Sequence, residues 1–541
     1  MTDKHSIDAT FAQVILGMAG AAGARTAFGL PGVQNLSFWA ANVSDLPPIV
    51  TVRHEQTTVY AADGWARATG GLGLALTTTG PGAANAVAAF GEAASCGSPV
   101  LLVASEVATR HHGTDARVLH QSRDQAGLFR PLAKAVFTPR TATEVLPATA
   151  AAIATALAHP RGPVYLDVPV DLLTAAALPG SAVAPAIEPL PIPDVSHVAD
   201  ALRAAGRVAI WAGGGVVAGD AEGSLRALAE RIGAPVVTTW AGRGLLAGHP
   251  LLVDAPVHEP EVAKVLATAD LLLVVGSAFD GMATKNGAAS LPAVRAAINA
   301  DPTHLGAAST PDLAVTGDAG SALTALLDAD LGVHESWAGD VSALRTTLAT
   351  RLAADPRTAE AAEFLASVES VLGLETVVVC DMAVAGYWAG GYLRSRRPRA
   401  LQYPVGWGTL GYALPAAVGA GAAGPTLAVC GDGGLMFGVG ELATLAQEQA
   451  PVTVLVVDDG GYGMLRFDQD RAGAEHRGVD LHTPDLVALA HAFGVPAVRV
   501  DDVGEPLRVA LTTALASGGP RLVTVRAALY PPRTTSPRWH E

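Results

Sequence analysis

Short apolar runs alternate along this chain with stretches of helical periodicity, a pattern that predicts parallel sheets with helices on both faces. Residues 11–22 have helical spacing, and 26–29 form a short strand ending in the turn Leu30-Pro31-Gly32. Strands follow at 49–52, 72–76, 100–103 and 164–168, with a helix over 57–68. Proline and alanine dominate 175–194 without periodicity, which marks a linker. A second α/β unit covers 207–331, with strands at 208–211, 235–238 and 271–275. Charged helical sequence over 335–372 leads to a third unit. That unit opens with a strand at 376–380 and continues with strands at 426–430 and 452–457, separated by a helix over 441–449. The predicted fold class is α/β, with three doubly wound parallel-sheet domains over 1–174, 195–331 and 372–541.

Composition narrows the function classes. Half of the 541 residues are apolar and only 16% are charged, as large buried sheets require. A net charge of −15 excludes nucleic acid and an acidic membrane surface as expected partners. The longest apolar stretch, 411–430, is broken by Pro415, Gly419, Gly421, Gly424 and Pro425, so it predicts a helix followed by a strand rather than a membrane span. Cys96, Cys380 and Cys430 lack metal-ligand spacing and read as thiols in a reducing compartment. The first residues show no basic segment followed by an apolar core, so the expected location is cytoplasmic.

Candidate chemistry concentrates where two strands of the third unit end. Gly431-Asp432-Gly433 follows the first, and Asp458-Asp459-Gly460-Gly461-Tyr462-Gly463 follows the second. Open parallel sheets bind ligands at this C-terminal edge. An acid at each turn, with backbone amides freed by glycines, makes a seat for a divalent cation and a diphosphate. The arrangement resembles the thiamin diphosphate enzyme family, whose motif is Gly-Asp-Gly and then, one helix and one strand later, Asn-Asn. The resemblance makes Asp432 and Asp459 ligands of Mg²⁺, with Gly461 offering its carbonyl. This chain has Asp458-Asp459 where Asn-Asn is expected. Aspartate remains a hard oxygen ligand, but it adds negative charge beside a diphosphate.

Other motifs carry the resemblance into the first domain. Arg53-His54-Glu55, the helix 61–70 and the run Thr77-Thr78-Thr79-Gly80-Pro81-Gly82-Ala83-Ala84-Asn85 resemble the pyrimidine-binding domain of the acetolactate synthase-like branch. In the third domain, 406–416 resembles the stretch that cradles the aminopyrimidine. The implied cofactor contacts are Pro31, Gly32, Glu55, Thr78, Asn85, Gly408, Leu410, Gly431, Asp432, Gly433, Gly434, Asp459, Gly461, Tyr462 and Gly463. Within that set Glu55 matches the glutamate that activates the pyrimidine ring, and Leu410 matches the wedge that bends the cofactor. Gly408 supplies a carbonyl, and Gly433 and Gly434 supply amides to the diphosphate. Family members complete the site between subunits, which implies a homodimer or homotetramer.

The resemblance implies non-oxidative decarboxylation of a 2-oxo acid, ending in aldehyde release or in addition to a second carbonyl (carboligation). Gln121 falls where the branch has a catalytic glutamine, and neighbouring His120 is a candidate proton carrier. The family's Gln-His pair is replaced within 381–388, and an expected tryptophan is missing from 464–469. Both departures favour a specialised decarboxylase or carboligase over a housekeeping synthase. Arg466, Asp468 and Asp470 either meet a charged substrate tail or form a solvated helix face. Trp211-Ala212-Gly213-Gly214-Gly215 admits a dinucleotide reading, and some relatives hold FAD in the central domain. Its glycine pattern favours a strand-to-helix turn instead. Two rival classes are a catalytically silent binding or regulatory subunit, suggested by Asp459 and opposed by Glu55, and a nucleotide-dependent oxidoreductase.

Overall fold

The computed structural model describes residues 9–40, 45–177, 186–305 and 310–539. The first eight residues, read above for an export signal, and residues 178–185 of the linker lie outside them. The chain divides into two compact units. One holds residues up to 188 together with 415–423 and 438–450, and the other holds the rest.

The first unit is built on a six-stranded parallel sheet in the order Ile49–Thr51, Ala27–Gly29, Gly73–Thr77, Val100–Glu106, Val164–Pro169, Ala135–Phe137. Its central strands are buried along their whole length, which is why they read as unbroken apolar runs rather than alternation. Helix Phe11–Ala21 begins with a reciprocal capping box between Thr10 and Gln13. Helix Glu55–Thr69 starts two residues before its periodicity suggests, because His54 Nδ1 accepts the Gln56 amide as N-cap. The segment 415–423 lies tightly against this helix. A Cβ on Gly64 would fall 2.2 Å from the Ala416 carbonyl, and one on Gly419 only 1.8 Å from that of Ala61. Buried Glu441 accepts the Arg53 amide at 3.0 Å and fixes the strand end just before Glu55.

The second unit contains two parallel sheets. The five-stranded one runs Leu313–Thr316, Val294–Asn299, Leu271–Val275, Val208–Ala212, Val236–Thr238. The six-stranded one runs Leu401–Gln402, Val377–Cys380, Thr426–Gly431, Val452–Asp458, Arg521–Arg526, Ala497–Val500. Helices Ala338–Ala354 and Ala359–Val371 connect them, as the charged helical pattern predicts. The dinucleotide-like turn is packed rather than open. A Cβ on Gly213 would lie 2.3 Å from the Gly276 carbonyl, and one on Gly215 would lie 2.6 Å from Gly276 Cα. Among the described residues no helix is long and apolar enough to cross a membrane.

Candidate active site

Two strand edges carry the chemistry-bearing residues, one in each unit. In the first, the strand Ala27–Gly29 leads into a turn closed by buried Asn35, whose Nδ2 donates to the Leu30 carbonyl at 3.1 Å and whose Oδ1 accepts the Gly32 amide at 2.7 Å. Pro31 is exposed at this turn. Gly32 is pressed against Thr78, where a Cβ would sit 2.7 Å away. After Gly73–Thr77 the chain turns through Gly80 into the short helix Pro81–Asn85. Asn85 Nδ2 donates to Glu55 Oε2 at 3.0 Å. A Cβ on Gly82 would lie 2.6 Å from Thr78 Cγ2 and 3.5 Å from Glu55 Oε1, so glycine there keeps the second carboxyl oxygen clear. The edge thus brings Gly32, Glu55, Thr78 and Asn85 together.

Three glutamines sit on the same face, with different tasks. Gln121 folds back into its own loop, donating to the Thr114 carbonyl at 2.7 Å and accepting the Val118 amide at 3.2 Å. Buried Gln125 anchors the glycine turn by accepting the Gly80 amide at 2.5 Å, while its Nε2 donates to the Ser105 carbonyl and the Tyr165 hydroxyl. Gln34 meets both Thr78 and His120. Sequence reasoning missed Gln34 and Gln125, since an isolated glutamine carries no spacing signal. Nearby, Glu106 and Asp167 form a buried carboxyl pair with Arg140. Burial holds both above the usual carboxylate range, with the Glu106 charge adding to the rise at Asp167 and Arg140 opposing it at both.

The edge in the second unit is dominated by charge. Asp432 follows Thr426–Gly431 and is almost fully buried. Its Oδ2 accepts the Thr483 hydroxyl at 2.6 Å, and its Oδ1 faces the Asp459 amide at 3.4 Å. Asp459 pairs with Arg466 at 2.6 Å, and the same guanidinium donates to the Asp459 carbonyl at 2.8 Å. Asp458 turns away to Arg526 at 3.0 Å. Burial pushes the Asp432 carboxyl up. It pushes Asp459 up to about 6, with Arg466 opposing and Asp432 adding to the effect. Buried Gly433 lies under the Tyr462 ring, and a Cβ on Gly434 would meet Asp381 Oδ2 at 2.7 Å and Leu410 Cδ1 at 3.2 Å. Tyr462 and Gly463 open the helix Gly463–Arg471, and the Gly461 backbone bridges to Asp480.

Asp381 ties this edge to the Gly408 turn. Its Oδ1 accepts the Met382 and Gly411 amides at 2.8 Å each, holding the turn that carries half-buried Leu410. Gly408 takes the left-handed conformation at φ 70°. Burial pushes the Asp381 carboxyl up to about 6, partly offset by the Gly411 amide. Thr483, the half-buried neighbour of Asp432, was invisible in sequence. The donor set at Asp432, Asp459 and the Gly461 carbonyl is oxygen only, which suits a hard divalent cation.

Comparison with known proteins matches this layout. Residues 9–128 match the N-terminal TPP binding domain of thiamine pyrophosphate enzymes, 195–326 their central domain, and 381–525 their C-terminal TPP binding domain. A probable acetolactate synthase large subunit from Methanocaldococcus jannaschii is 30% identical over 92% of this chain and 89% of its own length. A probable 2-ketoarginine decarboxylase from Pseudomonas aeruginosa is 30% identical over 96% of this chain and 94% of its own. An acetolactate synthase from Mycobacterium bovis is 31% identical over 91% and 84%. The chain belongs to the thiamine pyrophosphate (thiamin diphosphate) enzyme family, in its acetolactate synthase-like branch, and is an enzyme of non-oxidative 2-oxo acid decarboxylation, carboligation or both.

Proposed function

We propose that this enzyme is a Mg²⁺-dependent decarboxylase of a 2-oxo acid with a cationic tail. The observation that carries the reading is Glu55, with one oxygen held by Asn85 and the other kept clear by Gly82. Thiamin diphosphate, when bound, supplies a nucleophilic carbon and an electron sink. Glu55 gives and takes the proton at the pyrimidine ring, so its free oxygen has to remain uncovered. Pro31, Gly32, Thr78 and Asn85 shape that face. Gly408 and Leu410 orient the ring, and Gly431, Gly433, Gly434, Tyr462 and Gly463 form the backbone cradle for the diphosphate. Asp432, Asp459 and the Gly461 carbonyl would hold the metal, which would in turn neutralise charge on the diphosphate. His120 serves the substrate, and Gln121, whose side chain bonds within its own loop, holds that loop in place.

The tail assignment rests on helix Gly463–Arg471. Arg466 is committed to Asp459 and Asp480, and Asp470 to His476. The Asp468 carboxylate has no hydrogen-bond partner among the described residues, and burial holds it above the usual range, with Arg471 opposing. An acid so placed suits a guanidino or amino tail, and the Pseudomonas relative carries the name of such a decarboxylase. The central domain serves packing rather than FAD. Its glycine turn is filled by Gly276, and stacked Trp240, Tyr403, His258 and Trp539 occupy the adjoining space. A homodimer or homotetramer is the active form, and the absence of a disulfide among the described residues suits the cytoplasm.

Product analysis by NMR tests the proposal. The protein is incubated with thiamin diphosphate, Mg²⁺ and pyruvate, branched-chain or guanidino 2-oxo acids, singly and in pairs. An aldehyde from the guanidino acid is expected. A hydroxyketone from paired acids would instead establish the carboligase reading that the acetolactate synthase relatives favour. Light scattering on the same sample gives the oligomeric state.

A further inference from the structure

His120 is held in a conformation that side chains rarely adopt. Its φ is +67°, in the left-handed region, where a non-glycine residue is strained by about 1 kcal/mol or more. Its carbonyl rests on Gly80, where a Cβ would lie 2.3 Å from that oxygen. Strain of this kind persists only where the surroundings over-determine it, and here they do. His120 Nδ1 lies 3.3 Å from Gln34 Oε1. The Thr78 hydroxyl donates to the same oxygen at 3.3 Å, and Gln34 Nε2 reaches the Leu119 carbonyl at 3.5 Å. Among the described residues His120 Nε2 has no hydrogen-bond partner. Thr78 and Glu55 flank the same glycine, Gly82, so the network borders the face on which Glu55 acts.

The direction of these bonds decides the ring's protonation. Gln34 turns its amide nitrogen to a carbonyl that can only accept, so its oxygen faces His120 and requires a proton on Nδ1. That is the less common tautomer of a free imidazole, and it leaves Nε2 to exchange protons. We propose that Gln34 is a positioning residue that fixes His120 as the Nδ1–H tautomer, so that Nε2 delivers the proton that ends decarboxylation. When the bond to the carboxylate breaks, its electron pair stays on the substrate-derived carbon and carbon dioxide departs. His120, carrying a second proton taken from solvent on Nε2, gives it to that carbon. A C–H bond forms, and the ring returns to neutral Nδ1–H. This rests on the reading of Glu55 and its face given above.

The test uses full-length protein labelled with ¹⁵N-histidine, with the His120 ring signals assigned by their loss in His120→Asn. The cofactor-free protein should show His120 as Nδ1–H. Gln34→Leu should convert it to Nε2–H, and Gln34→Glu, which keeps an acceptor facing the ring, should not. With cofactor and substrate, Gln34→Leu should lower kcat on the order of a hundredfold with KM little changed, and Gln34→Glu should restore most of it. Gln34→Met, matched in length, replaces Gln34→Leu if that variant melts early. An Nε2–H ring in the parent protein, an unchanged tautomer in Gln34→Leu, or an unchanged kcat in that variant each overturns the inference. The tautomer is read without cofactor and so judges Gln34 alone, whereas failure of the Glu55 reading shows as full turnover in Glu55→Gln.

Discussion

The two edges are made from the same strand–turn–helix units but hold opposite kinds of chemistry. Glu55 is held by the Asn85 amide, and Thr78, Gln34 and Gln125 bond the turns beside it, while Glu106, Asp167 and Arg140 form a separate charged group in the same unit. Around Asp432 they are charges: Asp381, Asp458 and Asp459, set against Arg466 and Arg526. Burying carboxylates is costly unless something positive arrives, and raised carboxyls at Asp381, Asp432 and Asp459 record that cost. The charged edge is therefore suited to hold, and on the metal-binding reading proposed above a cation would offset that cost. On the first edge Glu55 keeps one oxygen without a hydrogen bond among the described residues, as the proposed proton exchange demands.

The division is most exposed at Glu55. Glu55→Gln should keep the fold and hold thiamin diphosphate about as tightly, yet slow turnover by roughly three orders of magnitude or more. Proton exchange at the reactive carbon of the bound cofactor, followed by NMR, should fall with it. A variant that binds weakly but turns over normally at saturation would move Glu55 to the holding side of the comparison.

Next in size is a stability effect at Asp381, one of several raised carboxyls that include Glu106 and Asp167 in the other unit. The Asp381 carboxyl titrates at about 6 in the folded protein and at 3.8 when unfolded. A carboxyl raised by folding adds stability that is fully present below the unfolded value and is lost as pH rises through the folded one. Cofactor-free protein should accordingly lose roughly 3 kcal/mol from this site between about pH 4 and pH 7. Asp381→Asn keeps an oxygen for the Gly411 amide and should remove the Asp381 share of that slope in denaturant titrations, leaving the share of the other raised carboxyls. A slope that persists unchanged would show that the Asp381 titration does not supply it.

How far these edges were legible follows from what each signal depends on. Central strands such as Thr426–Gly431 and Val452–Asp458 are buried on both faces and announce themselves as apolar runs. Ala135–Phe137, Leu313–Thr316 and Ala497–Val500 lie at sheet edges, half exposed and short, and the same reading passes over them. Asp432 and Glu55 stood out because glycine turns and motif order framed them. Thr483 and Gln34 reach their partners, Asp432 and Thr78, across 51 and 44 residues of chain, so no local pattern marks them. His120 was picked out for its imidazole, but its strained backbone exists only once Gly80 is beneath it.

The smaller effects separate the charges of the holding edge from one another. Asp432→Asn should weaken Mg²⁺ and cofactor binding by about ten- to a hundredfold, because a buried ligand loses its charge. Full turnover should return at saturating cofactor. Asp459 already shares its carboxylate with Arg466 at 2.6 Å, both side chains being about one-fifth exposed. Asp459→Asn, which restores the family's usual residue, should therefore change Mg²⁺ affinity only about threefold to tenfold. Arg466→Met removes the competing cation and should tighten metal binding, and the double variant should fall near the parent protein. Calorimetry with Mg²⁺ and a non-reacting diphosphate reads all three. If Arg466→Met weakens the metal instead, Arg466 is holding the turn through the Asp459 carbonyl rather than balancing charge. The charged edge would then owe its ion preference to Asp432 and Thr483 alone.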